Sequence, residues 1–336
     1  MRKDPNLRLF LKKLVNFDIS NLNELTSIDQ NVFKIDDYLR IIMRISNKFT
    51  HNITLSSTSQ VFYFEPIIVD EVGFCYTFNS RISPYLSPKY LLATEKKFKK
   101  TDLQVVNFYD GDALAVTQNI INNVNIITHG PNNVPTSSLK IMNTNPNRQG
   151  YSSLLMKPIE IRSEQETKNL FVFQRNCKFT TESSSEYFPQ LYTQDLCHLE
   201  CRMKKYKKLC NCMPFFYIHI KNDRQCDKRG LECIYENRFE VLNVEDCGCL
   251  KDCDDTKFLL QSINKMFWFH DSRVSWSIRR SKITYQRKLI YGFIEALVQT
   301  GGNLGLFIGT SLLSFVELLY FIYLAIFRHV GMSQFY

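Results

Sequence analysis

From Leu304 to Phe327 the chain reads LGLFIGTSLLSFVELLYFIYLAIF, an apolar run of twenty-four residues containing one charge, Glu317. A run of that length predicts a membrane-spanning helix. Arg328 and His329 follow it, which predicts a short basic cytoplasmic tail with the bulk of the chain outside. A carboxylate in hydrocarbon is costly and faces a water-filled path or a partner, so Glu317 is a candidate pore-lining group. Gly301, Gly302, Gly305, Gly309 and Ser311 leave the backbone unhindered at intervals. Such residues permit either close helix approach or an interrupted helix whose carbonyls line a pore. On these residues alone, a dimerising single-span anchor and a pore helix stand equally open.

The opening segment, MRKDPNLRLFLKKLVNFDIS, is broken by charges and Pro5 and reads as neither a signal peptide nor a span. A large outer region needs a signal to cross a membrane, so the natural beginning of the protein is expected upstream of Met1. Between Tyr38 and Phe49, the apolar Leu39, Ile42, Met43 and Ile45 recur at helical spacing. From about Val105 to Ile161 the pattern changes to short β-branched and aromatic runs punctuated by Asp110-Gly111 and Gly130-Pro131, which predicts strands. From Thr193 to Cys212 strand formers are few and no Gly or Pro intervenes before Pro214, which predicts a helix capped near Thr193 or Asp195.

At 336 residues the chain can bury one large core or two smaller ones. Its formal charge of +9 is spread along the sequence, with short clusters at Lys96–Lys100 and Lys204–Lys208 that read as solvated helix faces and single out no nucleic-acid partner. The cysteines change the picture more. Ten of the eleven fall between Cys177 and Cys253, and Cys75 stands apart. Their density favours disulfides formed in an oxidising compartment. Zinc is the rival, but the spacings are poor for it and His198 and His219 complete no site. The Asn52-Ile53-Thr54 sequon, a candidate glycosylation site, agrees with a secretory route. On the predicted helix, Cys197 and Cys201 lie one turn apart, about 6 Å along the axis. On an extended segment, Cys247 and Cys249 would be about 6.6 Å apart. Two rungs of a disulfide ladder therefore match. No P-loop, nucleophile elbow, zinc-protease helix or dinucleotide fingerprint is present, which argues against an enzyme, and no cofactor or metal is expected.

Several segments together resemble the degenerin/epithelial (amiloride-sensitive) sodium channel family, especially its insect pickpocket branch. Gly73-Phe74-Cys75-Tyr76-Thr77-Phe78-Asn79 is similar to the family's GxCxTFN segment, and Asn125 to Pro131 to a palm strand ending in an H-x-P turn. Gln174-Arg175-Asn176-Cys177 resembles the entry to the thumb, and CHLECRMKKYKKLCNCMPFFY the C-x3-C-R…C-x-C-x-P signature. Gly301 to Ser311 with Leu313, Ser314 and Glu317 resembles the pore-helix motif. The resemblance implies an α+β membrane protein: a β-rich palm and β-ball, a disulfide-stapled helical thumb, and a carboxy-terminal pore helix, with the first transmembrane helix absent. It divides the chain into a partial finger and upper palm (1–72), palm and β-ball strands (73–176), thumb (177–253), a shortened knuckle and lower palm (254–290), the second transmembrane helix (291–328) and a cytoplasmic tail (329–336).

The same resemblance implies a homo- or heterotrimer in the plasma membrane, passing sodium ions, blocked by amiloride and opened by an extracellular stimulus that no motif here identifies. It implies the pairs Cys177–Cys253, Cys197–Cys249, Cys201–Cys247, Cys210–Cys233 and Cys212–Cys226. Cys75 would pair with a cysteine just after the first transmembrane helix, a partner missing from these residues. Gly309, Thr310 and Ser311 fall at the selectivity filter, with Glu317 below it. Val298 stands at the degenerin position, usually a small residue, where bulk would favour an open state. Two other readings are a truncated modulator that does not conduct and a single-pass disulfide-rich receptor or adhesion protein.

Overall fold

The computed structural model describes the chain except for residues 1–4, 28–32, 47, 50–51, 56–60, 94, 97–101, 106–111, 119, 121–123, 137–138, 140, 145–149, 221–222, 268–271, 280–282, 310 and 333–336. It divides into two compact units: residues 1–163 with 170–286, and residues 164–169 with 287–336.

The larger unit opens with three helices. In α1 (Pro5–Val15) the apolar Leu7, Phe10, Leu11 and Leu14 recur at helical spacing, and Phe10 and Leu14 are buried. The charges that argue against a span there form the wet side of an amphipathic helix. α2 (Leu22–Thr26) buries Leu22 and Leu25, and α3 (Tyr38–Ile45) buries Leu39 and Ile42. α3 stops short of Phe49 because Ser46 turns to extended backbone at ψ 142°.

The main sheet contains β1 (Asn52–Leu55), β2 (Val61–Tyr63), β5 (Ala113–Thr117), β8 (Gly150–Ser163), β11 (Asp255–Phe267), β12 (Arg273–Ile278) and β13 (Ile283–Arg287). Its order is β11-β8-β12-β5-β1-β2, with β13 also against β8. Smaller pairs are β3 (Glu65–Val69) with β4 (Gly73–Thr77), β6 (Val124–Ile127) with β7 (Ile141–Thr144), and β9 (Cys177–Lys178) with β10 (Lys251–Asp252). β8 leaves the sheet toward the cysteine-rich region, and β11 returns antiparallel to it with one register irregularity at Leu260/Ser262. The cysteine-rich region is thus inserted between two neighbouring strands.

That region carries α7 (Val172–Arg175), α8 (Gln194–Cys210), α9 (Lys228–Glu236) and α10 (Arg238–Leu242). α8 is capped by Thr193, whose Oγ1 accepts from the Leu196 amide at 3.1 Å, and ends at Asn211 in the left-handed conformation. Its stripe of Leu196, Leu199, Met203 and Tyr206 is buried. One core joins this stripe to α1–α3, to the β3–β4 hairpin, and to the short α4 (Ser83–Leu86) and α5 (Pro88–Leu92). Phe17 packs against Phe215 and Phe216 there, with ring centroids 5.1 and 5.6 Å away. A second, much smaller core around Ile120, Leu154 and Val274 sits on the main sheet.

The smaller unit holds α6 (Gln165–Lys168) against the start of the carboxy-terminal segment. The Glu164 amide donates to the Arg287 carbonyl at 3.1 Å, and Lys288 pairs with Glu164 at 3.1 Å. The expected single span does not form as one rod. Among the described residues no helix is long and apolar enough to cross a membrane. The apolar run is divided instead between α11 (Phe293–Ile308) and α12 (Leu312–Met332).

Candidate functional site

Local chemistry explains why the run divides where it does. Gly309 closes α11 in the left-handed conformation, φ 68° and ψ 19°, its amide donating to the Gly305 carbonyl at 3.1 Å. Glycine enters that region without a Cβ penalty. Ser311 then starts the next helix: its Oγ accepts from the Ser314 amide at 3.3 Å and lies 3.2 Å from Ser314 Oγ. A C-cap glycine and an N-cap serine thus stand two residues apart. Thr310 lies outside the described residues.

The surroundings of this break are apolar and uncovered. Leu313, Phe315, Val316, Leu318, Leu319, Tyr320, Phe321, Ile322 and Tyr323 are all between 47% and 70% exposed. Exposed apolar residues from Phe315 to Tyr323, interrupted by Glu317, leave α12 apolar surface on every side. Glu317 is exposed on the same helix. Val298, on α11, is 67% exposed, and apart from the neighbouring residues and the helix's own backbone nothing lies within 4 Å of where a Cβ on Gly301 or Gly302 would sit. The glycines are therefore not required by packing within the chain. Gly305 is half-buried. Asn52 opens β1; its side chain lies outside the described residues.

The cysteine-rich region is held by five bonds. Cys177–Cys253 closes its base with Cα atoms 5.1 Å apart. Cys197–Cys249 and Cys201–Cys247 follow at 5.8 and 5.9 Å, and Cys210–Cys233 and Cys212–Cys226 at 5.8 and 4.8 Å. The ladder expected from helical rise is present, but its second rail is not a strand. Cys247 ends a 3-10 turn (Glu245–Cys247) and Gly248 is left-handed at φ 63°. Among the described residues no cluster of His, Cys, Asp or Glu could hold a metal.

Three features complete the site, of which the sequence signalled only the second, the unpaired Cys75. Asp70, fully buried at the turn between β3 and β4, accepts from Arg202 Nη1 at 3.0 Å and from the Tyr217 hydroxyl at 2.7 Å. Arg202 Nη2 reaches Glu71 at 2.8 Å. These charges tie the hairpin to α8. Second, Cys75 on β4 is a free thiol, and burial pushes its pKa up to about 12. It faces the third, a cavity of about 1400 Å³ lined by Phe64, Phe74, Tyr76, Leu154, Met156 and Trp276 among others. That exceeds the few hundred to a thousand Å³ of ordinary small-molecule pockets.

The sequence matches the amiloride-sensitive sodium channel family over residues 3–321. The chain belongs to that family. Relatives of this family member include the sodium channel protein Nach of Drosophila virilis, 26% identical over 194 residues, 52% of this chain and 50% of that protein. Pickpocket protein 11 of Drosophila melanogaster is 25% identical over 187 residues, 50% of this chain and 36% of the relative. The bile acid-sensitive ion channel of Rattus norvegicus is 26% identical over 157 residues, 38% and 31% of the two chains. The chain thus spans half or less of the length of these relatives. It is a pickpocket-like member of the amiloride-sensitive sodium channel family, with a β-rich body and five disulfides.

Proposed function

We propose that the chain serves as a subunit of a trimeric, sodium-selective, amiloride-sensitive channel of the plasma membrane, with α11 and α12 as its pore-forming segment. The observation that carries this reading is an uncovered apolar run divided into two helices, α11 and α12, at Gly309 and Ser311. Freed carbonyls at such a break replace part of an ion's hydration shell, and non-helical backbone is tolerated at membrane depth where it lines a cavity. Three copies of Glu317 below the break concentrate negative potential and favour cations. Lipid covers the remaining apolar surface, Asn52 carries a glycan, and the disulfide-bonded body lies outside the cell. Val298 biases the pore toward opening.

By the family resemblance, Cys75 pairs with a cysteine just after the first transmembrane helix. Its raised pKa leaves almost no thiolate at neutral pH, so it forms a disulfide only when that partner is brought to it.

The test is electrical. The chain is expressed with and without related subunits, and amiloride-sensitive current is recorded in sodium and potassium solutions. Co-expression is expected to yield a sodium-selective current whose selectivity falls in Ser311→Ala and whose amplitude falls in Glu317→Gln, while Val298→Ala lowers the resting current. If these substitutions leave selectivity and amplitude unchanged in channels shown to contain the chain, it does not line the pore and the non-conducting modulator is the correct account.

A further inference from the structure

We propose that the junction between the β3–β4 hairpin and α8 is a binding site for a single internal water molecule, held by Arg202 Nε, Asp70 Oδ1 and the Tyr206 hydroxyl.

The site is set by how the charge pair meets. Both side-chain bonds to the fully buried Asp70 fall on one oxygen: Oδ2 accepts from Arg202 Nη1 at 3.0 Å and from the Tyr217 hydroxyl at 2.7 Å. Oδ1 is equally buried and has no partner among the described residues. Arg202 approaches its carboxylates end-on, with Nη1 on Asp70 and Nη2 on Glu71 at 2.8 Å, and this leaves its buried Nε–H without a partner among the described residues. Tyr206 follows Arg202 by four residues on α8, so the two side chains share one face a turn apart. Its ring lies 5.7 Å from that of Tyr217, whose hydroxyl is on Asp70. The Tyr206 hydroxyl is also buried and also lacks a partner among the described residues. Three unpaired polar atoms thus belong to one network.

Leaving a buried donor or acceptor unpaired costs its full desolvation, and folded proteins rarely retain such groups. Internal waters typically make about three hydrogen bonds to groups of this kind. The chemistry of the three atoms selects the occupant. Nε–H can only donate, Oδ1 as a carboxylate oxygen only accepts, and the hydroxyl does either. Burial above all, with the charge of Asp70 next, raises Tyr206 and Tyr217 well above the usual phenol range, so both stay protonated. Two carboxylates against one guanidinium leave an excess negative charge that repels an anion. A metal cation has no lone pair for Nε–H. Water accepts from Nε–H, donates to Oδ1 and bonds the hydroxyl in either sense. Because all three atoms are closed to solvent, a larger hydroxylated ligand does not reach them.

The water adds to the joint three bonds that the side chains do not make with one another. The hairpin, which carries Cys75, is thereby held to α8 through solvent as well as through the ion pair.

Two measurements on the full chain test the site. A density map fine enough to show ordered water should contain a feature at about 2.7–3.2 Å from each of the three atoms. Tyr206→Phe removes only the hydroxyl. If that hydroxyl bonds water, hydrogen-exchange protection of the α8 amides should fall about fivefold, the worth of one net hydrogen bond. If the hydroxyl is unpaired, its removal leaves protection unchanged or raises it, which overturns the proposal. A map in which the three side chains close on one another directly, with no density between them, overturns it as well, even where Tyr206→Phe lowers protection.

Discussion

The two-rung ladder allows one consequence of disulfide topology to be worked out. While Cys201–Cys247 is intact, Cys197–Cys249 closes a ring of only about six residues, for which the chain-entropy relation gives about 2.2 kcal/mol. The converse holds for the other rung. Once both are gone, re-forming Cys197–Cys249 closes a ring of about 24 residues through Cys177–Cys253, and re-forming Cys201–Cys247 one of about 23 through Cys210–Cys233, for either of which the relation gives about 3.4 kcal/mol. Replacing each rung's cysteines by serine should therefore destabilise α8 by about 2.2 kcal/mol. Replacing both rungs should cost about 5.6 kcal/mol, some 1.2 kcal/mol beyond the sum of the singles. That excess lies outside the few tenths within which independent sites add. The assay is hydrogen exchange of the α8 amides in Cys197→Ser/Cys249→Ser, in Cys201→Ser/Cys247→Ser and in the fourfold variant. Strict additivity, or a single rung costing more than both together are calculated to, would refute ring closure as the origin of the stabilisation.

Two further outcomes follow from buried groups. Arg202→Met leaves Asp70 buried without its cation and should destabilise the junction between the hairpin and α8 by about 3–5 kcal/mol, whereas adding Asp70→Asn should restore part of that loss; urea unfolding of the single and double variants measures both. Cys75, with its thiol raised to about 12, should alkylate far more slowly in the native protein than in urea at pH 7.5, and equal rates would show the sulfur to be exposed.

Features set by neighbours in sequence were legible, and those set by distant residues were not. α8 could be read from Thr193 and an uninterrupted stretch to Cys212 because capping and propensity act within a few residues. The break at Gly309 and Ser311 is equally local, yet the apolar run alone read as one span with an interruption left open, because a glycine permits a left-handed turn without requiring it. Cys247 and Cys249 were harder. Rise alone matched them to the helix, yet the matching distance is reached through a 3-10 turn and a left-handed Gly248 rather than through a strand, so spacing constrained the bonds without determining the backbone.

Asp70 and Arg202 lie 132 residues apart, and nothing near either one announces a buried charge pair. In the opening segment the difficulty runs the other way. Charges that rightly argued against a membrane span concealed an amphipathic helix, because Phe10 and Leu14 are recognisable as core residues only if a partner core exists. That partner is the stripe of α8 and the Phe215–Phe216 pair, some two hundred residues downstream. Capping and periodicity therefore place the elements, while long-range burial decides which apolar face and which charge becomes structural.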